Sequence, residues 1–575
     1  MPAPRNSAPQ PTAYLTADRE SDNAIPSINL GKRYGPRRGD PEAIRSSLDG
    51  KICKMDNDIS IKVEYAEAGF KKSFPGGGLP LGSITSGLAG RKRRFTGRVR
   101  LCGALAVFLL HLISIAAYSS DAPRFNRNLE TILRGEIPDN LSVSVQVADL
   151  ETGRVLMEKN PDHPLIPAST MKVVTSAAAL HALNPDFTFL TEALVENASG
   201  SSVGNLYLRG YGDPYLVSEE LYALTRLIRE KGLEEIRGNI IVDDSYFVPD
   251  QPLDENEQLG YRSYHAPYGA LSLNFNSLKI LIHPGDKPGK PARVAIDPIS
   301  EYAVVKADIK TVKGSKPCQA NIIKETTADG QEIIKLEGEV GIHSTTKGRY
   351  VNVATPSLYT GEVFKEFLLR EGIRVTGRVV RGKVPSNAVL YAEFNSRPLS
   401  LIVYWLNKFS NNFMAEQINM ALGAKVLGPP GTREKGLSVI RKYLLSCGIA
   451  PDCFSLSEAS GLSRNNRLSA SALVRVLLVA ARDFSYNSEF MASLGVSGVD
   501  GTLKEKLIDP GAKRRIRGKT GTLRGVNALT GYGMARDGKR FAFAVLVNSK
   551  EKGAGFINHA DKIVRQIMDV PMNGR

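Results

Sequence analysis

The order of hydrophobic and polar positions divides the chain after residue 121 into three stretches of different character. The first begins with residues 141–147, which alternate between apolar and polar as a half-buried strand does. A turn at residues 151–153 follows, so we expect residues 154–158 to return as the paired strand. Apolar residues then recur as in a helix, starting at Ser169 and stopping at Asn184-Pro185. The first stretch therefore predicts a hairpin followed by one helix.

The second stretch, residues 186–351, changes to short strand-like runs separated by Gly, Pro, Asn and Asp. Examples are residues 205–209, 239–243 and 292–296, and one helical pattern covers residues 218–231. No grouping of catalytic side chains stands out in this stretch. We interpret it as one or two inserted, mainly β domains.

Helical periodicity returns in the third stretch, residues 352–575. Helices are predicted over residues 356–371, 398–409, 413–425, 432–446, 469–482 and 558–568, and strands over 515–523, 528–535 and 541–548. The dipeptide Asp537-Gly538 is a strong hairpin signal. We therefore expect residues 122–185 and 352–575 to form one discontinuous α/β domain around the insert.

The formal net charge of +16 is concentrated near the N-terminus. Residues 1–100 contain 18 basic and 10 acidic residues, so half of the excess lies in about the first sixth of the chain. This placement argues against a nucleic-acid surface on the folded part, and we expect no nucleic-acid partner. Residues 1–90 are rich in Pro, Gly, Ser and charge, and we interpret them as a disordered basic tail.

Residues 91–120 have the layout of a signal peptide or a signal anchor. A basic cluster at residues 91–94 precedes an apolar run at residues 101–118, and small residues follow. The apolar run is just long enough to span a bilayer. If it stays uncleaved, it anchors the chain in the inner membrane with the basic tail in the cytoplasm. In either case the sequence predicts an exported, periplasmic protein of the cell envelope.

The cysteines and histidines do not form a metal-binding pattern, so we expect neither a metal nor another cofactor. None of the five cysteines forms C-x-x-C, and the seven histidines form no metal pair. Cys447 and Cys453 lie six positions apart, and Gly448 and Pro451 between them predict a turn. A disulfide between them fits an oxidising compartment, and two reduced thiols are the alternative.

Candidate chemistry begins with Ser169 and Lys172 at the start of the first predicted helix. Residues three apart lie on one face of a helix, so the serine hydroxyl and the lysine amine are expected to be neighbours. A serine needs a base to become a nucleophile. A buried lysine can be that base because burial disfavours its charged form. The pair alone is weak evidence, since a serine at a helix start is usually only a cap.

Two later segments strengthen this interpretation. Residues 410–412, Ser-Asn-Asn, interrupt two helical runs, and residues 519–522, Lys-Thr-Gly-Thr, open a strand pair. S-x-x-K, S-D-N and K-T-G together are the signature of class A β-lactamases and penicillin-binding proteins. The chain has the first and third as they stand and the second with one change. By itself, the 410–412 segment would be interpreted as a loop with a helix cap.

If the three motifs meet, each side chain has an expected role. Ser410 lies between the two lysines and can relay a proton to the leaving amine. The Asn412 amide can hold the substrate backbone and the base. Lys519 and Thr520 offer a cation and a hydroxyl to a substrate carboxylate.

The strand carrying the third motif is expected to contact the substrate directly. Gly521 would let the substrate approach the strand closely. The backbone N–H groups of Ser169 and Thr522 are candidate oxyanion donors. An extended peptide could then add to this strand, and the product would be an acyl-enzyme on Ser169.

On these motifs the chain resembles the low-molecular-mass class C penicillin-binding proteins, the D-alanyl-D-alanine carboxypeptidase/endopeptidase family, over roughly residues 125–570. The separation of 241 residues between Ser169 and Ser410 also fits this family, which inserts domains there, whereas compact β-lactamases have a shorter segment. Further similar segments are residues 212–214, 264–267, 460–464 and 499–503.

The resemblance implies a penicillin-binding or β-lactamase-like transpeptidase fold: an antiparallel sheet flanked by helices, a helical subdomain and the inserted domains. It also implies cleavage of the terminal D-Ala-D-Ala bond of peptidoglycan stem peptides, and of cross-links. Penicillin and other β-lactams would acylate the same serine.

Two features depart from the family pattern, and some alternatives stay open. Asn411 stands where aspartate is usual, and the N-terminal tail is unusually long. A β-lactamase or esterase on the same fold is one alternative function, and a non-catalytic wall-binding protein is another. The sequence leaves the oligomeric state open, a homodimer included.

Overall fold

The computed structural model describes residues 122–249, 261, 265–328, 330–551 and 553–572. The tail expected at residues 1–90 and the apolar segment expected at 101–118 lie outside the described residues. Within the described ranges, no helix combines the length and the apolar character needed to cross a bilayer.

Helices and strands follow the order expected from the sequence in most of the described chain. The helices are α1 (Ala122–Glu136), α2 (Met171–Leu183), α3 (Ser218–Glu230), α4 (Pro356–Arg370), α5 (Leu399–Phe409), α6 (Asn412–Leu427), α7 (Arg433–Ser446), α8 (Ala470–Arg482), α9 (Asn487–Ser493) and α10 (Ala560–Ile567). The strands up to the middle of the chain are β1 (Leu141–Asp149), β2 (Val155–Lys159), β3 (Leu190–Val195), β4 (Ala198–Ser199), β5 (Ser202–Val203), β6 (Leu206–Gly210), β7 (Glu235–Ile236), β8 (Ile240–Asp243), β9 (Ser277–His283), β10 (Arg293–Asp297), β11 (Ala303–Val312) and β12 (Gln319–Thr326). The remaining strands are β13 (Glu332–Gly341), β14 (Lys347–Asn352), β15 (Arg374–Val375), β16 (Val379–Arg381), β17 (Val389–Asn395), β18 (Phe454–Ser455), β19 (Arg467–Leu468), β20 (Gly495–Val496), β21 (Ile516–Leu523), β22 (Val526–Met534) and β23 (Arg540–Ser549).

A six-stranded sheet joins the first and last parts of the described chain. Its order is β2-β1-β23-β22-β21-β20, and each neighbouring pair is antiparallel. The central pairing of β1 with β23 places Val145 opposite Val545. The antiparallel sheet expected from the sequence is confirmed, and with it the mixed α/β class.

Alternate residues of β23 pack into two different cores, because successive side chains of a strand point to opposite faces. Phe541, Phe543 and Val545 lie in a core that also contains residues of α1 and α10. Ala542 and Ala544 lie on the opposite face, in the core formed with α2 and α5–α8. The sheet is therefore covered by helices on both faces.

Helix α2, which follows Ser169, lies at the centre of the second core. All ten residues from Met171 to Leu180 are buried, and the helix packs against α5, α6, α7 and α8. A helix that is apolar on every side needs such a central position. It ends at Asn184, whose φ of 68° is left-handed, immediately before Pro185.

The inserted region has a hydrophobic core of its own. It contains a five-stranded sheet in the order β16-β8-β6-β3-β17 and a four-stranded sheet in the order β15-β7-β5-β4. Two three-stranded sheets, β10-β9-β14 and β11-β13-β12, complete its strands in the described part of the chain. Helices α3 and α4 pack with these sheets, so the region is mainly β with two helices.

Strand pairing extends the insert beyond the boundary drawn from the sequence at residue 351. β15 pairs with β7, β16 with β8, and β17 with β3, and Val363 and Phe364 of α4 belong to the insert's core. Helical periodicity alone could not assign α4, because an apolar stripe does not reveal which core receives it. We therefore place the return to the six-stranded sheet after Asn395 rather than at residue 352.

Of the two alternatives for Cys447 and Cys453, the structure has the reduced one, because both are free, buried thiols. Cys447 follows the last residue of α7, whereas the Cys453 Sγ faces Asp162 Oδ1 at 4.0 Å. The two side chains therefore lie in different surroundings, although their spacing in the sequence would fit a short disulfide-bonded loop.

Candidate active site

Ser169 lies in a single 3₁₀ turn, Ala168–Thr170, that leads directly into α2. Ala168 has a φ of +47°, a left-handed conformation that is rare for a residue with a side chain. The Thr170 hydroxyl donates to the Pro167 carbonyl at 2.7 Å and helps to hold the turn. Ala168 and Thr170 are buried, while Ser169 is only half-buried. The turn therefore presents one hydroxyl at the end of a buried helix.

The Lys172 amine contacts the serine, as the spacing of the first motif predicts. Its Nζ donates to Ser169 Oγ at 3.1 Å, to Asn412 Oδ1 at 2.7 Å and to the Ser460 carbonyl at 2.5 Å. The side chain is fully buried. This burial lowers the pKa of Lys172 to about 8, although nearby carboxylates oppose the shift. A neutral amine beside the serine hydroxyl is what a general base requires.

Ser410 and Lys519 form a second contact beside the first. Ser410 ends α5 in a left-handed conformation with a φ of 57°. Lys519 Nζ donates to Ser410 Oγ at 2.8 Å and to the Thr520 carbonyl at 2.9 Å. Burial, and then the charge of Lys172, hold the pKa of Lys519 well below its usual range. The second hydroxyl thus also has an amine as its neighbour.

The two asparagines after Ser410 have different functions. The Asn411 side chain caps α6, because its Oδ1 accepts a hydrogen bond from the Met414 N–H at 3.0 Å. An aspartate would cap the helix in the same way, so the change from the usual motif preserves this contact. Asn412 instead turns its side chain towards Lys172.

One edge of β21 is open beside these groups. β20 pairs with β21 only as far as Gly518, and no strand in the described ranges covers the edge beyond it. On this edge the Ile516 carbonyl accepts from the Ser497 N–H at 3.0 Å. Backbone groups of alternate residues face the same edge, so those of Thr520 and Thr522 do too. Thr522 is exposed at this edge.

Gly521 has a packing role that the sequence did not reveal. A Cβ on Gly521 would lie 2.6 Å from the Pro167 carbonyl oxygen and 3.2 Å from the Thr170 nitrogen. The glycine therefore lets β21 pack against the serine turn. Gly461 contacts the same turn, since its Cβ would lie 1.9 Å from the Ala168 carbonyl oxygen. Because Gly521 and Gly461 have no side chains, the segments that contain them can pack closely against the backbone of the serine turn.

The structure brings the three motifs of the sequence into one place. The first hydrogen-bonded group contains Ser169, Lys172 and Asn412, and the second contains Ser410 and Lys519. The strand that carries Lys519 continues with Thr520, Gly521 and Thr522.

An ion pair between a buried lysine and a half-buried aspartate, which the sequence did not reveal, supports the Ser410 turn. Lys408 Nζ lies 2.8 and 2.9 Å from the two carboxylate oxygens of Asp500 and donates to the Leu494 carbonyl at 2.6 Å. The Lys408 side chain is only 4% exposed. Asp500 belongs to the 499–503 segment, which resembles the family but carried no assigned role. The pair joins the end of α5 to the loop that follows β20.

Asp500→Asn is expected to slow acylation by a β-lactam about 10- to 100-fold, because a displaced Ser410 turn costs catalytic geometry. It should also lower the free energy of unfolding by roughly 1–3 kcal/mol, since Lys408 would be buried without a counter-ion. Acylation rates and denaturant midpoints measure the two effects. Glu151→Gln is the control, because its pair with Arg540 is 63% and 60% exposed. Equal acylation rates and equal denaturant midpoints for Asp500→Asn and Glu151→Gln would contradict a supporting role of the Lys408–Asp500 pair.

Two buried carboxyl groups next to Lys172 were also missed from the sequence. Glu416 and Glu458 bind the backbone around Ser460, whose carbonyl accepts from Lys172. A signal for the first existed, since Glu416 follows Asn412 by four residues on α6 and must share its helix face.

Comparisons with known proteins agree with this geometry. The family model described as D-Ala-D-Ala carboxypeptidase 3 (S13) matches residues 125–567. A D-alanyl-D-alanine carboxypeptidase of Actinomadura sp. (strain R39) is 31% identical over 439 residues, which are 73% of this chain and 80% of that protein.

Solved structures show the same fold. The crystal structure of penicillin binding protein 4 (dacB) from Haemophilus influenzae has a TM-score of 0.65 at 23% identity, covering 77% of this chain and 97% of the other. The structure of that protein complexed with a novel β-lactam has a TM-score of 0.63 at 22% identity over the same shares of the two chains. The family expected from the three motifs is thus confirmed. The chain belongs to the D-Ala-D-Ala carboxypeptidase 3 (S13) family of serine-type peptidases.

Proposed function

We propose that this serine-type D-Ala-D-Ala carboxypeptidase cleaves peptidoglycan stem peptides through an acyl-enzyme on Ser169. The observation that carries this assignment is the 3.1 Å contact between Ser169 Oγ and Lys172 Nζ. The amine is buried and has a pKa of about 8, so it can accept the serine proton near neutral pH. The Actinomadura relative, by its name, has the same activity.

Acylation begins when Ser169 Oγ attacks the carbonyl carbon of the penultimate D-Ala. Its proton passes to the neutral amine of Lys172, which Asn412 holds in place. The Ser169 and Thr522 N–H groups bind the oxygen that becomes negative. The carbon–nitrogen bond then breaks, and Ser410 relays a proton to the leaving amine: it gives up its own proton and receives the one held by Lys172, while Lys519 supports the hydroxyl. The terminal D-Ala leaves, and the acyl group remains as an ester on Ser169.

The substrate lies along the open edge of β21. An extended stem peptide can pair with the backbone groups of Thr520 and Thr522 as an additional strand. Lys519 and the Thr520 hydroxyl are close enough to this edge to bind the terminal carboxylate. Water then attacks the ester and Lys172 takes a proton from it. The same proton passes to Ser169 Oγ as the ester bond breaks, so free Ser169 and neutral Lys172 are restored. The same steps would open a cross-link, where the leaving amine belongs to a second stem peptide.

One experiment tests this function against its alternatives. The protein is incubated with a labelled penicillin, and then with a peptide ending in D-Ala-D-Ala. Long-lived label on the protein together with D-Ala release supports the proposed activity. Rapid loss of label with penicillin hydrolysis indicates a β-lactamase, and an unlabelled protein indicates a non-catalytic wall-binding role.

We also propose that the enzyme works in the periplasm, since its substrate class belongs to the cell envelope. The basic cluster and apolar run at residues 91–118 support export, either as a cleaved signal or as an inner-membrane anchor. A reporter enzyme fused after residue 130 is expected to be active only outside the cytoplasm. A purely cytosolic signal from this fusion would refute export. The mass of the purified protein in solution decides between a monomer and a homodimer.

A further inference from the structure

Two acidic side chains converge beneath the base Lys172. Glu416 and Glu458 are 2% and 5% exposed. Glu416 Oε1 accepts from the Ser460 N–H at 2.8 Å, and Glu458 Oε2 accepts from the same N–H at 2.9 Å. Because both carboxyl groups accept from the Ser460 N–H, they lie close together at a buried site. Two full negative charges so close and so buried repel each other strongly.

Hydrogen bonding distinguishes the two carboxyl groups. Both oxygens of Glu458 accept: Oε2 from the N–H and hydroxyl of Ser460, and Oε1 from the Gly461 N–H at 2.6 Å and the Asn466 amide. In Glu416 the described acceptor is Oε1 alone, which also binds the Ala459 N–H at 2.8 Å. Four donors suit an ionised carboxylate, whereas Glu416 has an oxygen left for a proton.

We propose that Glu416 is a carboxylic acid in the working enzyme, that it donates its proton to the Glu458 carboxylate, and that this pair sets the charge of Lys172. The inference rests on the proposed role of Lys172 as the base for Ser169. The two glutamates are positioning residues, because they act through the Ser460 loop and through charge. Burial, the Glu458 charge and the hydrogen bond between the two carboxyl groups raise the pKa of Glu416, in agreement with this assignment.

The pair shares a support with the base. α6 provides Asn412, which binds Lys172 directly, and one turn later Glu416, which holds the loop of Ser460. The Ser460 carbonyl then accepts from Lys172 at 2.5 Å. The position of the amine and the charge around it therefore depend on the same two acids.

Charged groups from four elements of the fold determine the balance at Lys172. Glu458, in the loop before β19, favours its charged form, as an ionised Glu416 on α6 would, and Lys519 on β21 repels it. Arg433 at the start of α7 lies close enough to lower the pKa of Glu416, but burial and Glu458 outweigh it. Burial lowers the pKa of Lys172 to about 8 even though both carboxyl groups oppose the shift. Each further negative charge in the pair favours the protonated amine, which cannot accept the serine proton.

The pH dependence of β-lactam acylation tests the pair. We expect the unmodified protein to show a rising limb with a midpoint near pH 8. Glu416→Gln should keep this midpoint within about 0.3 pH unit, because a neutral amide replaces a neutral acid. Glu416→Gln combined with Glu458→Gln should lower it by about one unit or more, because the last negative charge is gone.

Two results would overturn the proposal. If Glu416→Gln alone lowers the midpoint as far as the double variant, Glu416 is ionised in the unmodified protein. If the double variant leaves the midpoint unchanged, the pair does not set the charge of Lys172. Glu362→Gln is the matched control, since this acid in α4 of the inserted region also has a pKa raised by burial. Its midpoint should stay that of the unmodified protein.

Infrared spectroscopy provides a second test that does not depend on activity. The unmodified protein at pH 7 should show the carbonyl stretch of a protonated carboxyl group that Glu416→Gln lacks. If that variant fails to fold, Glu416→Met serves instead, being neutral and similar in length. A spectrum without a Glu416 band contradicts the shared proton. If acylation persisted in Ser169→Ala, the proposed function would fail, but the band would still report on Glu416.

Discussion

Replacing Ser169 with alanine is expected to abolish both the release of D-Ala from a peptide substrate and covalent labelling by penicillin. Release of D-Ala from a D-Ala-D-Ala peptide should fall by at least about 10⁴-fold in kcat/KM, because no other group can form the covalent intermediate. Labelling by penicillin should disappear for the same reason. Stopped assays for D-Ala and gel detection of the labelled protein measure the two effects.

The control for this variant is Ser485→Ala, which removes an exposed hydroxyl from the loop between α8 and α9. It should retain full labelling and turnover. Thermal unfolding of Ser169→Ala should match that of the unmodified protein, because Ser169 is only half-buried and its turn is held by backbone contacts. Persistent acylation of a folded Ser169→Ala protein would show that the nucleophile lies elsewhere.

The second large effect is expected from Lys172. Acylation by the unmodified enzyme should rise with pH through about 8, because only the neutral amine can take the serine proton. At pH 6, two units below this pKa, the rate should be about 100-fold below its plateau. Lys172→Arg should lower the plateau by about 10²- to 10⁴-fold and remove the rising limb, since a guanidinium stays charged.

Measuring the second-order acylation rate from pH 5 to 10 distinguishes this role from simple packing. Lys172→Met, which removes the amine without adding charge or bulk, should lose the limb as well. Lys442→Arg on the exposed face of α7 is the control and should reproduce the unmodified profile. A profile that remains intact in Lys172→Met would mean that another group accepts the proton.

The sequence pointed to the motif residues that meet at this site more readily than to the residues that support them. Ser169, Lys172, Ser410 and Lys519 were found because each belongs to a short local motif whose residue types already suggest their use. Their meeting was an inference from the motifs occurring together. The actual distances depend on pairing between β21 and the rest of the sheet, which no single segment contains.

The supporting residues escaped notice because their partners are remote in the chain. The role of Lys408 depends on its ion pair with Asp500. That of Glu416 depends on its hydrogen bond to a loop more than 40 residues later in the chain. Gly521 was noticed, but its packing against the serine turn was not predicted, since a glycine beside a motif does not reveal which neighbour needs the space. The insert's end was misplaced for a similar reason: α4 has an ordinary amphipathic pattern, and only strand pairing shows which sheet it covers.

The central pairing of β1 with β23 has a consequence for how the protein matures. These strands are adjacent in the sheet, yet about 400 residues of chain separate them. Contacts between such distant segments form late, because closing a long loop costs entropy before any contact compensates for it. The inserted region can therefore form its contacts before the last strand is made, whereas the six-stranded sheet is complete only once β23 has joined it. A nascent or C-terminally shortened chain would leave β1 and β22 as bare edges, open to aggregation and insensitive to penicillin.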